Sequence, residues 1–238
     1  MGERLILLRF SPQSLGAAKF GTICGMKAFV IAMDNEAECV IRHFEDVVEE
    51  RLYGRRVVRG RFAGGNAIVV VSGIGKSNAA AAAQLAIQLT GADEIVNVGV
   101  AGGLEPEMKV GDIYEVKDAV QYDFDLVQVN GTEVGTLNER RSPYIPCAVQ
   151  GRFPAKTLAT GDRFNDEERD MALVLRLGAG LRDMEGAAIA HVCERAGAKF
   201  VSYKCVSDVR GAGSMTGQYQ ENLGRCLAIL ADAVPGLF

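Results

Sequence analysis

Apolar positions along the chain gather into short runs. KAFVIA at 27–32, AIVVVS at 67–72, EIVNVGV at 94–100 and KFVSYKCV at 199–206 are rich in Val and Ile with few interruptions, the pattern of strands buried on both faces. SNAAAAAQLAIQLT at 77–90, EGAAIAHVCERA at 185–196 and residues 216–233 instead set apolar residues at i, i+3 and i+4 among strong helix formers, which predicts helices. Alternation of the two patterns predicts an α/β fold with a largely parallel sheet covered on both faces. Glycines 54, 60, 64 and 65 punctuate the stretch 52–72 and predict antiparallel hairpins added to that sheet. The chain holds no internal repeat and no low-complexity segment. In open α/β sheets ligands bind beyond the carboxyl ends of the strands, so the chemistry is sought there.

The chain has 238 residues, 48% hydrophobic and 24% charged, a globular balance that fits one domain. No stretch approaches the roughly 18–20 uninterrupted apolar residues of a spanning helix, so no transmembrane segment is expected. A formal charge of −4 and the absence of any long Lys/Arg run argue against nucleic acid as a partner. Cys24, Cys39, Cys147, Cys193, Cys205 and Cys226 show no C-x-x-C spacing and read as reduced thiols of a cytoplasmic protein. His43 and His191 alone exclude an imidazole-rich metal site. Residues 1–25 contain only a four-residue apolar patch, and Arg9 and Lys19 interrupt the remainder, too little for a signal peptide. A second Met at position 26 opens the first strand, so 1–25 reads as an appendage and 26–238 as the domain.

Five constellations lie where ligands are expected. Ser72-Gly73-Ile74-Gly75-Lys76-Ser77 is either an anion-binding glycine turn at a helix N-terminus or simply a tight strand-to-helix turn. It lacks the first glycine of a P-loop, where Val70 stands, and the third glycine of the dinucleotide pattern, where Asn78 stands. Val98-Gly99-Val100-Ala101-Gly102-Gly103 ends a buried strand and would let a ligand lie against bare backbone, or would merely turn the chain. Asp183-Met184-Glu185-Gly186 starts a helix, where an acid either compensates the helix dipole or faces a ligand. Ser207-Asp208 and Asp34-Asn35-Glu36 each follow a strand, as caps or as functional groups. Glu36, Glu185 and Asp208 thus converge on one rim, where like charges repel unless a cationic ligand or transition state uses them. Cleaving a purine N-glycosidic bond uses such a set: an acid for the base nitrogen, a base for water, and carboxylates for the positive charge developing on ribose.

Taken in order, Ile31-Ala32-Met33 with Glu36, SGIGK (72–76), VAGGL (100–104), VGD (110–112), GDRF (161–164), DMEGAAIAHVC (183–193) and SDV (207–209) resemble the 5′-methylthioadenosine/S-adenosylhomocysteine nucleosidases of the nucleoside phosphorylase superfamily. The resemblance spans roughly residues 26–234, in the correct order. It implies a three-layer αβα fold with a mixed central sheet, hydrolysis of an adenine nucleoside, no metal or organic cofactor, and a homodimer. Carried over position by position, it implies that Glu36 deprotonates the attacking water and that Asp208, held by Ser207, donates a proton towards purine N7. Met184 and Glu185 engage the ribose, Ala101 and Gly102 line the sugar pocket, Phe164 stacks on adenine, and backbone groups at Asn165 read its edge. Asp183 and Lys204 complete the substrate-binding set.

The chain departs from that pattern in three places. Val100 stands where the family commonly has a serine, and Lys204 where it commonly has an arginine, whose planar fork Lys lacks. Residues 126–155 contain three prolines and no helical period, so a helix typical of the family, in the region that covers the 5′ substituent, is expected to be missing. A phosphorylase is the nearest rival. Its phosphate would meet Asp34, Asn35, Glu36 and Glu38 rather than an arginine, and two like charges about 4 Å apart cost roughly 4 kcal/mol at an effective dielectric of 20. A non-catalytic nucleoside-binding protein on the same scaffold is the other alternative.

Because the domain reading begins at Met26, a chain lacking residues 1–25 is expected to unfold at the same temperature as the full chain. A drop of many degrees in its thermal unfolding would place the boundary elsewhere.

Overall fold

A computed structural model of the protein describes residues 26–164 and 168–238. The strands are β1 (Lys27–Ile31), β2 (Glu45–Leu52), β3 (Arg55–Phe62), β4 (Gly65–Val71), β5 (Glu94–Gly103), β6 (Ile113–Gln121), β7 (Ile145–Pro146), β8 (Ala155–Thr160), β9 (Leu181–Asp183) and β10 (Lys199–Val209). The helices are α1 (Asp34–Ile41), α2 (Lys76–Thr90), α3 (Val127–Asn130), α4 (Glu168–Arg176), α5 (Gly186–Ala196) and α6 (Met215–Ala233).

The four Val/Ile runs form the middle of the sheet. β1 pairs in parallel with β4 on one side and β5 on the other, and β5 runs parallel to β10 from Glu94 opposite Lys199 to Gly103 opposite Val209. Because these strands are covered on both faces, their side chains are apolar almost throughout. α2 and α5 pack on one face over Val30, Ile68 and Ile95, while α1 and α6 cover Phe29, Ile31 and Val98 on the other. This is the expected three-layer αβα arrangement. The glycine-rich stretch forms the antiparallel meander β2–β3–β4, which extends the sheet past β1.

At the other end the sheet closes on itself. β10 also pairs antiparallel with β6, β6 runs parallel to β8, β8 to β9, and β9 returns antiparallel to β5. β5, β10, β6, β8 and β9 therefore form a ring, and the sheet is mixed. The periodicity did not reveal β6, β8, β9, α1 or α4. Residues 126–155 carry only the single turn α3 and the two-residue β7, in line with the missing helical period. Residues 1–25, and with them the proposed appendage, lie outside the described residues, as does Cys24. The other five cysteines are free thiols.

One anchor holds this segment to the ring. Glu115 on β6 is buried, and its carboxylate accepts the backbone N–H groups of Gln150, Gly151, Arg152 and Phe153 at 2.5–3.2 Å. Four donors converge on two acceptor oxygens, so an amide in their place turns an NH2 group towards two of them. Glu115→Gln is accordingly expected to destabilise the fold by about 2–4 kcal/mol, read as a lower midpoint in denaturant unfolding.

Candidate active site

A cavity of about 320 Å³ opens over the carboxyl ends of β1, β5, β9 and β10, and Glu36, Asp183, Glu185 and Asp208 all line it. Glu36 is in the first turn of α1, directly after β1, and is 4% exposed. Its Oε1 accepts the Val100 N–H at 2.8 Å. A Cβ at Gly99 would fall 2.7 Å from that oxygen, so a bare backbone at 99 is what lets the carboxylate reach the end of β5. Asp208 is seated in the same way. A register shift between Val206 and Asp208 skips Ser207 and sets Asp208 opposite Gly102, a bulge that re-aims the side chain at the strand end. A Cβ at Gly102 would lie 2.9 Å from Asp208 Oδ1, and Ser207 Oγ donates to Asp208 Oδ2 at 2.7 Å. The glycines of VGVAGG thus make room for two acids rather than only turning the chain.

Glu185 occupies the N-cap position of α5, but its side chain does not cap that helix. It accepts instead the N–H of Gly75, at the N-terminus of α2, at 2.9 Å. The next N–H, that of Lys76, donates to Asp162 at 2.7 Å. The SGIGKS stretch is thus a tight strand-to-helix turn whose N–H groups meet the protein's own carboxylates. Gly75 has φ +97°, a conformation that an L side chain rarely adopts.

Lys204 on β10 is the cation of the cluster. Its Nζ lies 2.9 Å from Asp183 Oδ2, with both side chains 2% exposed. Asp183 also accepts the Thr160 hydroxyl at 2.6 Å and the Gly186 N–H at 2.9 Å. Burial acts to lower the Lys204 ammonium, but Asp183, Glu185 and Glu36 outweigh it and hold the pKa above the ordinary value. Burial pushes the Glu36 carboxyl up, against the pull of Lys204 and the Val100 N–H. Burial, with Asp183 beside it, raises Glu185 to about 7, Lys204 again pulling the other way. The cavity wall is thus poised to hold a proton near neutral pH.

Ala101, Gly102, Met184 and Ser207 also line the cavity, and Phe164 stands at its edge, 49% exposed, with its ring 5.4 Å from that of Tyr219. Asn165 lies outside the described residues. Lys204, expected at the substrate, sits behind the wall rather than in it. Sequence reasoning missed Tyr219, whose hydroxyl is raised by burial and then by Glu36, Glu185 and Asp208, and also Met33 and Met215. Met33 belongs to the quoted Ile-Ala-Met run. Tyr219 and Met215 lie on a helix whose periodicity says nothing of a cavity at its N-terminal end. The two arginines of the lining have protein partners: Arg182 donates to Tyr122 Oη and to the Arg163 carbonyl, and Arg163 pairs with Asp170. Arg56, which reaches the first turn of α1, is paired with Asp34, Glu38 and Glu49. Among the described residues no group of His, Cys, Asp and Glu is placed to hold a metal ion, and no helix is long and apolar enough to cross a membrane.

Comparison with known proteins identifies the family. The family model described as the phosphorylase superfamily matches residues 27–235. A 5′-methylthioadenosine/S-adenosylhomocysteine nucleosidase of Shewanella halifaxensis is 33% identical over 199 residues, 77% of this chain and 86% of that protein. One from Marinomonas sp. is 30% identical over 198 residues, 77% of this chain and 85% of the relative. Among solved structures, the nucleosidase of Neisseria meningitidis in complex with methylthio-immucillin-A superposes with a TM-score of 0.79 at 25% identity, covering 89% of this chain and 99% of that one. The chain therefore belongs to the phosphorylase superfamily and, within it, to the 5′-methylthioadenosine/S-adenosylhomocysteine nucleosidases.

Proposed function

We propose that this chain hydrolyses the N-glycosidic bond of adenine nucleosides such as 5′-methylthioadenosine and S-adenosylhomocysteine, releasing adenine and the substituted ribose. The observation that carries the reading is the meeting of Glu36, Glu185 and Asp208 in one cavity from three separate strand ends. Asp208, steadied by the Ser207 hydroxyl, delivers a proton to purine N7 as the N9–C1′ bond breaks and its electron pair goes to the base. Glu36 takes a proton from water while the remaining hydroxide joins C1′. Glu185 accepts hydrogen bonds from the ribose hydroxyls, and the carboxylates together favour the positive charge that develops on the sugar. Phe164 stacks on the base, with Tyr219 against its far edge. Lys204 acts from behind the wall, by balancing the charge of Asp183, Glu185 and Glu36. The chain is read as cytoplasmic from its unpaired cysteines and as a homodimer from the family resemblance.

Phosphorolysis is the competing chemistry on this scaffold. It needs a cation free to meet phosphate, whereas the arginines at and beside this cavity are engaged and the group after β1 is a buried carboxylate. Adenine release is therefore expected to proceed in phosphate-free buffer, with free ribose derivative as the product. Glu36→Gln and Asp208→Asn should each lose about 10²- to 10⁴-fold in kcat while the folded protein still binds an adenosine-like ligand. A sugar phosphate product that appears only with phosphate would overturn hydrolysis, and an active Glu36→Gln enzyme would remove Glu36 from the mechanism.

The raised carboxyls also set a pH dependence. Glu185 must be ionised to accept from ribose, so kcat/KM should fall as pH drops through about 7. The stability it confers runs the opposite way. A carboxyl raised in the fold stabilises it most below its ordinary 4.5 and loses that contribution as pH rises through about 7. Lys204 lowers both Glu36 and Glu185, so Lys204→Met should move the acid limb of the kcat/KM profile to higher pH. An acid limb that stays in place in that variant would exclude Lys204 from the charge balance.

A further inference from the structure

The reaction scheme leaves the SGIGK turn without a part, yet its main chain meets two carboxylates with different duties. Gly75 N donates to Glu185 Oε1 and Lys76 N to Asp162 Oδ1. The Lys76 side chain then bends to Asp123, just beyond β6, and pairs with its Oδ1. Asp123 Oδ2 in turn accepts the N–H of Asp162 at 3.0 Å. Lys76, Asp123 and Asp162 therefore close a ring of three hydrogen bonds, in which the lysine and Asp123 side chains are only 17% and 14% exposed.

The ring lies two residues before Phe164. That aromatic is half exposed, and its ring contact is with Tyr219, so the chain leading into it must fix its place. A Cβ at Gly75 would stand 3.1 Å from Asp162 Oδ1 at a positive φ, which shows how closely the turn and the 161–164 segment are fitted. One two-residue stretch thus holds the ribose acid with one N–H and the base-stacking segment with the next.

We propose that Lys76 is a positioning residue: through Asp123 and Asp162 it fixes the segment carrying Phe164 to the turn that holds Glu185, and so sets the distance between the purine and ribose halves of the site. This rests on the nucleosidase reading. Removing the ammonium releases Asp123 and leaves the purine half held to the turn by the Lys76 N–H alone, while Glu185 keeps its bond because Gly75 supplies it from the main chain. The two reaction products, adenine and the thio-substituted ribose, probe the two halves separately.

The test is competitive inhibition of the wild-type enzyme, Lys76→Met, Lys76→Arg and Asp162→Ala by each product. Lys76→Met and Asp162→Ala are expected to weaken adenine by about fivefold or more and to raise KM in step. Inhibition by the ribose product should stay within about twofold, and Lys76→Arg should restore adenine binding. Asp162 is exposed, so its variant keeps the test open should Lys76→Met not fold. Unchanged adenine binding in Asp162→Ala and Lys76→Met, or equal weakening of both products, overturns the positioning role. A wild-type enzyme that adenine does not inhibit overturns the nucleosidase reading itself, and the proposal with it.

Discussion

The pairing of Lys204 with Asp183 is the interaction on which the rest of the site depends. Four carboxylates line one cavity and are each 8% exposed or less, and an ionised carboxylate removed from water without compensation costs several kcal/mol even after relaxation. The protein offsets that cost with the Lys204 ammonium and a set of fixed dipoles. Lys204 serves Asp183 directly and Glu185 and Glu36 at longer range, while the N–H groups of Val100, Gly75 and Gly186 and the hydroxyls of Thr160 and Ser207 supply hydrogen bonds. The compensation is incomplete, and the raised carboxyls of Glu36 and Glu185 are its consequence. A fully neutralised cluster would have no affinity left for a sugar that becomes cationic.

This balance requires the strands to end where they do. Glu36 reaches the cluster because α1 begins three residues after β1 and because Gly99 leaves its path clear. Asp208 reaches it because the chain bulges at Ser207 and Gly102 has no side chain. The ring formed by β5, β10, β6, β8 and β9 brings Thr160 and Asp183, at the ends of two neighbouring parallel strands, to the same rim. Packing on both faces of the sheet fixes these ends, and a misplacement of about 1 Å at a reacting group can cost on the order of 10²-fold in rate.

The legible parts of the sequence are set by the same physics. Central strands covered on both faces must be apolar throughout, so 27–32, 67–72, 94–100 and 199–206 were legible. β8 and β9 were not, because β9 has only three residues, two of them Arg182 and Asp183, and β8 spends Thr160 on the site. Glu36 and Asp208 stood out because each lies at the end of a legible strand run, and Glu185 because it opens a helix. Lys204 was legible as a departure from the family's arginine and was assigned to the substrate, not to the charge balance behind the wall. Which carboxylate a lysine meets depends on how the strands close into the ring, where β5 lies between β10 and β9, and β10 gives no sign that Asp183 is there. Tyr219, 186 residues from the Met33 it touches, is a product of the tertiary fold alone.

The same charge balance governs the choice between water and phosphate. In the proposed reaction the nucleophile meets the ribose beside Glu36, and the fold alone does not choose between water and phosphate. A buried carboxylate repels a phosphate dianion at close range, and that repulsion grows as the local dielectric falls, whereas water is neutral and gains a proton acceptor. Arg56 is near enough to α1 to have altered this outcome, but Asp34, Glu38 and Glu49 hold its guanidinium on the outer side of the helix. The acids of the first turn thus act at two levels. In the proposed reaction Glu36 supplies the base, and its neighbours engage Arg56 away from the pocket.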